Sequence, residues 1–401
     1  MKNMVYIQSG GPTSVINTSL YGAIKEARKH PEEIGGIYGS LNGIEGLIDD
    51  KLIDINKEDD EQIELLLQTP GSILGTTRRK LPKDIHDKVY MQIIETIKKH
   101  NIGYVFINGG NDSMDTCYKV SQLAKELKLD VRVIGVPKTI DNDLACTDHS
   151  LGFPSAAKYV INTINAFAKD IQCFKVGKIH IVEIMGRNAG WLTAAPDLLP
   201  EDTRPHLFYL PENPFDMNEF IEDVNKVYKE HGYGIIAISE GIDIKREHAN
   251  IRVDGFGHAQ LGGAAAYLCE VVEQRLGLPT RAVEFSIMQR ACPTFTSKVD
   301  QEEAIETGKI AVKSALNGHT GEMVTFYRTT KDKKYKLIYT LADLSKIANA
   351  EAKVPANFQK DKTRMSDEFR KYLKPLIKGE IKIKCKDGIA LVSKFKYVRV
   401  K

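Results

Sequence analysis

Three short loops in this chain place carboxylates, cations and glycines within a few residues of one another, each directly after an apolar run. The sharpest is Pro137-Lys138-Thr139-Ile140-Asp141-Asn142-Asp143, which follows the strand-like run Val131–Val136. It brings together two carboxylates at i and i+2, a hydroxyl and a lysine. Asp141 suits a general base that takes the proton of an attacking hydroxyl. Asp143 suits a group that orients it or helps hold Mg²⁺, and Lys138 a cation that neutralises phosphate charge. Phosphoryl transfer depends mainly on positioning and charge stabilisation, and these residue types supply both. A structural, Asx-rich turn is the alternative reading.

The second loop is Asn108-Gly109-Gly110-Asn111-Asp112-Ser113, again straight after a strand-like run. Paired glycines followed by polar residues suit a phosphate wrapped by backbone amides, with a side-chain oxygen near a metal. A plain turn with a serine cap for the next helix would look similar. The third, Ser9-Gly10-Gly11-Pro12-Thr13, lets backbone amides and a helix N-terminus approach an anion. It matches neither a Walker A loop nor the dinucleotide fingerprint, and reads equally as a tight strand–helix turn. Other strand-like runs end in Met185-Gly186-Arg187 and in Ser239-Glu240, and Arg281–Arg290 brackets a strand with two arginines. Arginine forks suit the phosphate of a sugar phosphate, and a glutamate suits its hydroxyls. Each alone reads as a structural ion pair; three together outweigh that reading. The ten histidines show no metal-ligand spacing, with His258 read as a cap or packing residue. Trp191 is expected in the core, and Gly255–Gly263 to permit close helix packing.

These loops need strands to carry them. Strand-like runs at Val5–Gln8, Tyr104–Asn108, Val131–Val136, Lys178–Ile184, Gly234–Ser239 and Met323–Tyr327 alternate with helical spacing at Ser14–Lys29, Ile85–Lys99, Met114–Leu127, Asp216–His231 and Gly263–Leu276. That alternation predicts an α/β fold of two doubly wound, mostly parallel-sheet lobes with the active site between them, ligands lying beyond the carboxyl ends of the strands. The expected division is a donor lobe over 1–145, a sugar-phosphate lobe over 146–330, and a helical extension with a basic tail over 331–401. The tail Ile381–Lys401 reads as a solvated edge strand. With 401 residues, 42% hydrophobic and a net charge of +3, the chain gives no reason to propose nucleic acid or a membrane surface as a partner. Six scattered cysteines, no signal-peptide pattern and no apolar run long enough to span a bilayer make a soluble, cytoplasmic protein the expectation.

From about Met4 to about Leu376 the chain resembles the phosphofructokinases, with Gly10-Gly11, Gly71–Arg78, Gly109–Ser113, Thr139–Asp143, Met185–Arg187, Glu240 and Gln289-Arg290 in the family's order. The resemblance implies phosphoryl transfer to the 1-hydroxyl of fructose 6-phosphate with Mg²⁺. It makes Asp141 the general base and Thr139 a stabiliser of the transferring group. Met185, Gly186 and Arg187 become the substrate loop, Glu240 a sugar contact, and Arg281 and Arg290 contacts to the substrate phosphate. Arg78 lies between the substrates, with Gly11 on the donor side. Lys178 stands where many relatives carry an arginine reaching into a neighbouring subunit's site, which implies a homodimer or homotetramer. ATP-using relatives usually have glycine where this chain has Asp112 and Lys138; both changes match the pyrophosphate-dependent branch. Asn111 replaces a usual metal-binding aspartate, Ile287 a polar substrate contact, and Ala291-Cys292 a glycine pair. An ATP-dependent kinase and a weakened, regulatory sugar-phosphate binder are the competing readings.

Overall fold

The computed structural model describes residues 1–244, 263–329 and 335–401; the calls on His258 and most of Gly255–Gly263 lie outside these. Runs such as Val105–Ile107 and Val133–Val136 carry no polar alternation, so both of their faces must be covered. The fold does this with a seven-stranded sheet made of β1 (Lys2–Gln8), β2 (Ile34–Ser40), β3 (Leu52–Asp54), β4 (Ile102–Gly109), β5 (Arg132–Pro137), β10 (Glu322–Thr329) and β11 (Lys336–Asp343). Its order is β11-β10-β5-β4-β1-β2-β3, parallel at the centre and antiparallel where β3 and β11 join. A second sheet, β7-β8-β6-β9, is parallel throughout: β6 (Ile179–Ile184), β7 (Leu207–Tyr209), β8 (Gly234–Ser239) and β9 (Thr280–Glu284). The first sheet has an apolar core on each face, one around Val105 and Val133 and one around Phe106 and Ile134. The second is likewise packed on both sides.

The two-lobed α/β expectation holds, and each strand and helix read from the apolar pattern is present. The pattern did not reveal β2, whose Gly35, Gly36 and Gly39 dilute its strand signal. Nor did it reveal the long helices Phe153–Ile171 and Lys298–Leu316. The latter crosses the Ile16–Ala27 helix at backbone contact. A Cβ on Gly22 would strike the Ile305 carbonyl, and one on Gly308 the Ser19 carbonyl.

The lobe boundaries need correcting. Strands β10 and β11, placed by the sequence reading in the sugar-phosphate lobe and the extension, return to the first sheet, where β10 pairs with β5. Mostly apolar strands cannot stay unpaired, and the edge of β5 offers them a partner. Beyond Asp343 the described chain holds one longer helix, Asp367–Leu373, among short irregular pieces, so the extension is not mainly helical. Most of the tail is not an edge strand either, although its last residues, Val398 to Val400, pair antiparallel with β3. Its backbone is taken up largely by side chains: Gln68 receives Lys384 N, Thr69 receives Ser393 N, and Glu58 receives Lys396 N and Tyr397 N.

Candidate active site

In both sheets the chain crosses from one side of the central strand to the other, at β1/β4 and at β6/β9, and doubly wound sheets open a crevice at such points. The loops after β1, β4, β5, β6, β8 and β9 all converge on one cavity of about 880 Å³. Gly10, Gly11, Arg78, Asp112, Lys138 and Thr139 line it from the first lobe, with Asn111, Asp141 and Asp143. Met185, Arg187, Glu240 and Arg290 line it from the second. Gly186 lies buried between Met185 and Arg187, its carbonyl receiving the Ser239 hydroxyl.

Lys138 is 3% exposed, and its Nζ donates to the Gly11 carbonyl at 2.6 Å. Gly10 turns the chain with φ +78°, and a Cβ there would come 3.3 Å from the same Nζ, so the lysine and the glycine loop are fitted to each other. Burial pulls Lys138 down to about 7, assisted by Arg290 and Arg78 and opposed by Asp141. Burial raises Asp141, against the pull of Arg290, Lys138, Arg187 and Arg78. Asp143 is pushed up to about 7 by burial, then by Asp141 and Glu351. Burial followed by the charge of Asp141 takes Glu240 to about 7 as well. Lys138, Arg78 and Arg290 thus crowd one another, with burial and mutual repulsion lowering Lys138 and Arg290, as cations gathered at an anion site do. The Thr139 hydroxyl accepts from Asp141 N at 3.1 Å and fixes the turn that aims the carboxylate. Buried Gln289 accepts from Met185 N at 3.3 Å and ties the substrate loop to the β9 side.

Arg281, an expected phosphate contact, is not brought to this cavity, and neither is Lys178, whose expected place is a neighbouring subunit's site. Lys178 and Arg281 are exposed and sit at the amino ends of β6 and β9, whereas the cavity lies at the carboxyl ends. Arg290, reached only after β9 has ended, does line it, with its guanidinium 3.8 Å from a Cβ built on Gly11. The two arginines that bracket the strand therefore face opposite ways along it, because a strand separates its ends by its full length.

Three lining residues, Lys80, Asn349 and Glu351, lie outside the loops singled out from the sequence, and a fourth, Asn188, follows Met185-Gly186-Arg187 in a loop where it was given no role. Lys80 pairs with Asp112 at 3.3 Å. Asn188, Asn349 and Glu351 belong together: residues 347–352 cross the catalytic loop as a strap. Ala352 N donates to Asp143 O at 2.8 Å, Asn188 donates to Glu351 at 2.6 Å, and Trp191 Nε1 donates to Ala352 O at 3.0 Å. Trp191 is in the core as expected. Asn111 donates its amide to Ala350 O at 2.7 Å, while its Oδ1 is buried without a hydrogen-bond partner. Nothing in the composition of the strap signals a site.

The sequence profile described as phosphofructokinase matches residues 3–315. The chain belongs to the phosphofructokinase family. It is 39% identical over 410 aligned residues to the pyrophosphate–fructose 6-phosphate 1-phosphotransferase of Halomonas elongata, covering 99% of this chain and 97% of that one. The crystal structure of the pyrophosphate-dependent phosphofructokinase from Marinobacter aquaeolei superposes with a TM-score of 0.90 at 39% identity, over 100% of this chain and 98% of the other. A sulfofructose kinase from Alkalicoccus urumqiensis is 35% identical over 80% of this chain and 82% of its own length. Relatives with this degree of likeness therefore differ in the acceptor they are named for. Among the described residues, no helix is long and apolar enough to cross a membrane.

Proposed function

We propose that this phosphofructokinase transfers a phosphoryl group from pyrophosphate to the 1-hydroxyl of fructose 6-phosphate, reversibly and in the cytoplasm, releasing phosphate. The observation that carries the donor is the pairing of buried Lys138 with the Gly10-Gly11 turn, opposite Asp112 held by Lys80. A carboxylate and its counter-ion occupy the path that a nucleotide's inner phosphate needs. Lys138 meets a compact polyanion directly.

In this reading Asp141 accepts the proton of the 1-hydroxyl as its oxygen attacks the nearer phosphorus. Lys138 and Arg78 neutralise the phosphate that leaves, and Thr139 and Arg187 hold the group in flight. Met185, Gly186, Arg187, Glu240 and Arg290 hold the sugar phosphate. Mg²⁺ fits the donor side: Asp143 offers a carboxylate and Asn111 a buried, unpaired Oδ1, a sparse oxygen set of the kind completed by substrate phosphates. When bound there it neutralises charge on the phosphate oxygens. Lys178 and Arg281, on one exposed edge, are assigned to a neighbouring subunit's sugar site, in a homodimer or homotetramer.

The test is a set of initial rates with pyrophosphate and ATP side by side, using fructose 6-phosphate and its 6-sulfonate analogue as acceptors. Pyrophosphate with fructose 6-phosphate is expected to give the highest kcat/KM. A preference for ATP would overturn the donor reading, and a preference for the sulfonate the acceptor reading.

A further inference from the structure

Behind the catalytic loop lies a buried cluster of charges that touches neither substrate pocket. His149 has a side chain with no exposure; its Nδ1 donates to Asp148 Oδ1 at 2.9 Å and its Nε2 to Glu303 Oε2 at 2.8 Å. Asp148 also receives Arg328 at 2.9 Å, and Glu303 receives the Tyr335 hydroxyl at 2.6 Å. Arg328 lies over the rings of Tyr335 and Tyr372, and the His149 ring packs against Phe326. Two cations and two carboxylates balance here, drawn from the 139–152 loop, the Lys298–Leu316 helix and β10. Buried Asp300 stands next to them, engaged by Gly152 N and by Ser155.

The cluster is wired to the loop that carries Asp141. Tyr372 donates its hydroxyl to the Asp148 carbonyl at 3.0 Å and receives Asn142 Nδ2 at 3.0 Å. The other end of the Asn142 amide, Oδ1, accepts from Ser150 N at 2.7 Å, one residue beyond His149. Asn142 sits between the two site aspartates with φ +55°, a left-handed conformation held by these bonds at both ends of its side chain. Thr139 N is bonded to Leu151 O in the same stretch.

We propose that His149 is a positioning residue for phosphoryl transfer: its imidazolium, bridging Asp148 and Glu303, clamps the 148–151 segment and Tyr372 so that Asn142 sets the aim of Asp141. A buried ionic network, here hydrogen-bonded at both ring nitrogens of His149 and at both terminal nitrogens of Arg328, fixes one arrangement of the groups around it. Burial alone would discharge the imidazole, but Glu303 and Asp148 outweigh it and hold His149 at about 9. Asp148 is held down by His149 and Arg328 against burial, burial raises Asp300 to about 6, and burial with the nearby carboxylates pushes Tyr335 and Tyr372 up. The clamp is therefore intact at neutral pH and is lost as pH rises through about 9, leaving two carboxylates facing each other.

The inference rests on the reading of Asp141 as the base, and two variants test it. Tyr372→Phe keeps the ring and removes only the hydroxyl that joins Asn142 to the clamp; its kcat should fall about three- to tenfold with both KM values within about twofold. His149→Gln should fall further and lack the alkaline decline of kcat expected of the wild type near pH 9. If His149→Gln does not fold, Tyr372→Phe and the wild-type profile decide. Wild-type kcat and an unchanged pH profile in Tyr372→Phe would overturn the proposal, since a merely structural role lowers Tm without altering turnover per folded enzyme. Asp141→Asn assayed in parallel separates the failures: full activity there would sink the reading of the loop itself.

Discussion

The donor and acceptor walls of the cavity are built differently. On the donor wall Lys138 is almost fully buried, closed over by the Gly10-Gly11 turn, with the cations Arg78 and Lys80 nearby. On the acceptor wall Ile287 is 67% exposed, and one of the expected phosphate contacts, Arg281, faces elsewhere. Buried charge is costly unless an oppositely charged ligand arrives, so in the proposed reading the donor wall selects by charge and size. The acceptor wall has fewer charged groups of its own, and in the proposed reading its affinity rests more heavily on Arg187 and Arg290. Arg290 stands at the seam, between Gly11 and the sugar side.

The comparison can be attacked where the walls meet. Asp141→Asn should preserve fold and binding and lower kcat by about 10² to 10⁴, the usual contribution of a general base; near-normal turnover would remove Asp141 from that role. On the donor wall alone, Lys138→Met should lower kcat/KM for pyrophosphate by about 10² to 10³ while the sugar KM stays put. A matching rise in sugar KM would mean that the walls are not independent. Arg290→Ala removes a charge-assisted contact of about 1.5–3 kcal/mol and should mainly raise the sugar KM. If only the pyrophosphate KM rises, the seam belongs to the donor.

The smallest effect is a proton count. Lys138, at about 7 in the free enzyme, is mostly neutral at pH 8, and a bound polyanion favours its charged form. Pyrophosphate binding at pH 8 should therefore take up a fraction of a proton more in the wild type than in Lys138→Met, and its affinity should fall as pH rises above about 7. Calorimetry in buffers of different ionisation enthalpy measures this. Equal uptake by both proteins would show that Lys138 is already charged.

Sequence alone determined the alternation of buried strands with amphipathic helices, the Gly-rich turns at Gly10 and Gly109, and the Thr139–Asp143 constellation. Each is local: apolar periodicity, a positive φ, or side chains a few residues apart. The tertiary structure decided the rest. It returned β10 and β11 to the first sheet, so that the strap of residues 347–352 could cross Asp143 and bring Glu351 and Asn349 to the cavity. It put Lys80 opposite Asp112 and joined His149 to Glu303, a partner 154 positions away. It also turned Arg281 away while keeping Arg290, since which end of β9 faces the cleft depends on how the second sheet is laid against the first. Such pairings are fixed by which edges and faces remain uncovered once the strands have formed, and a short window of sequence carries no trace of that.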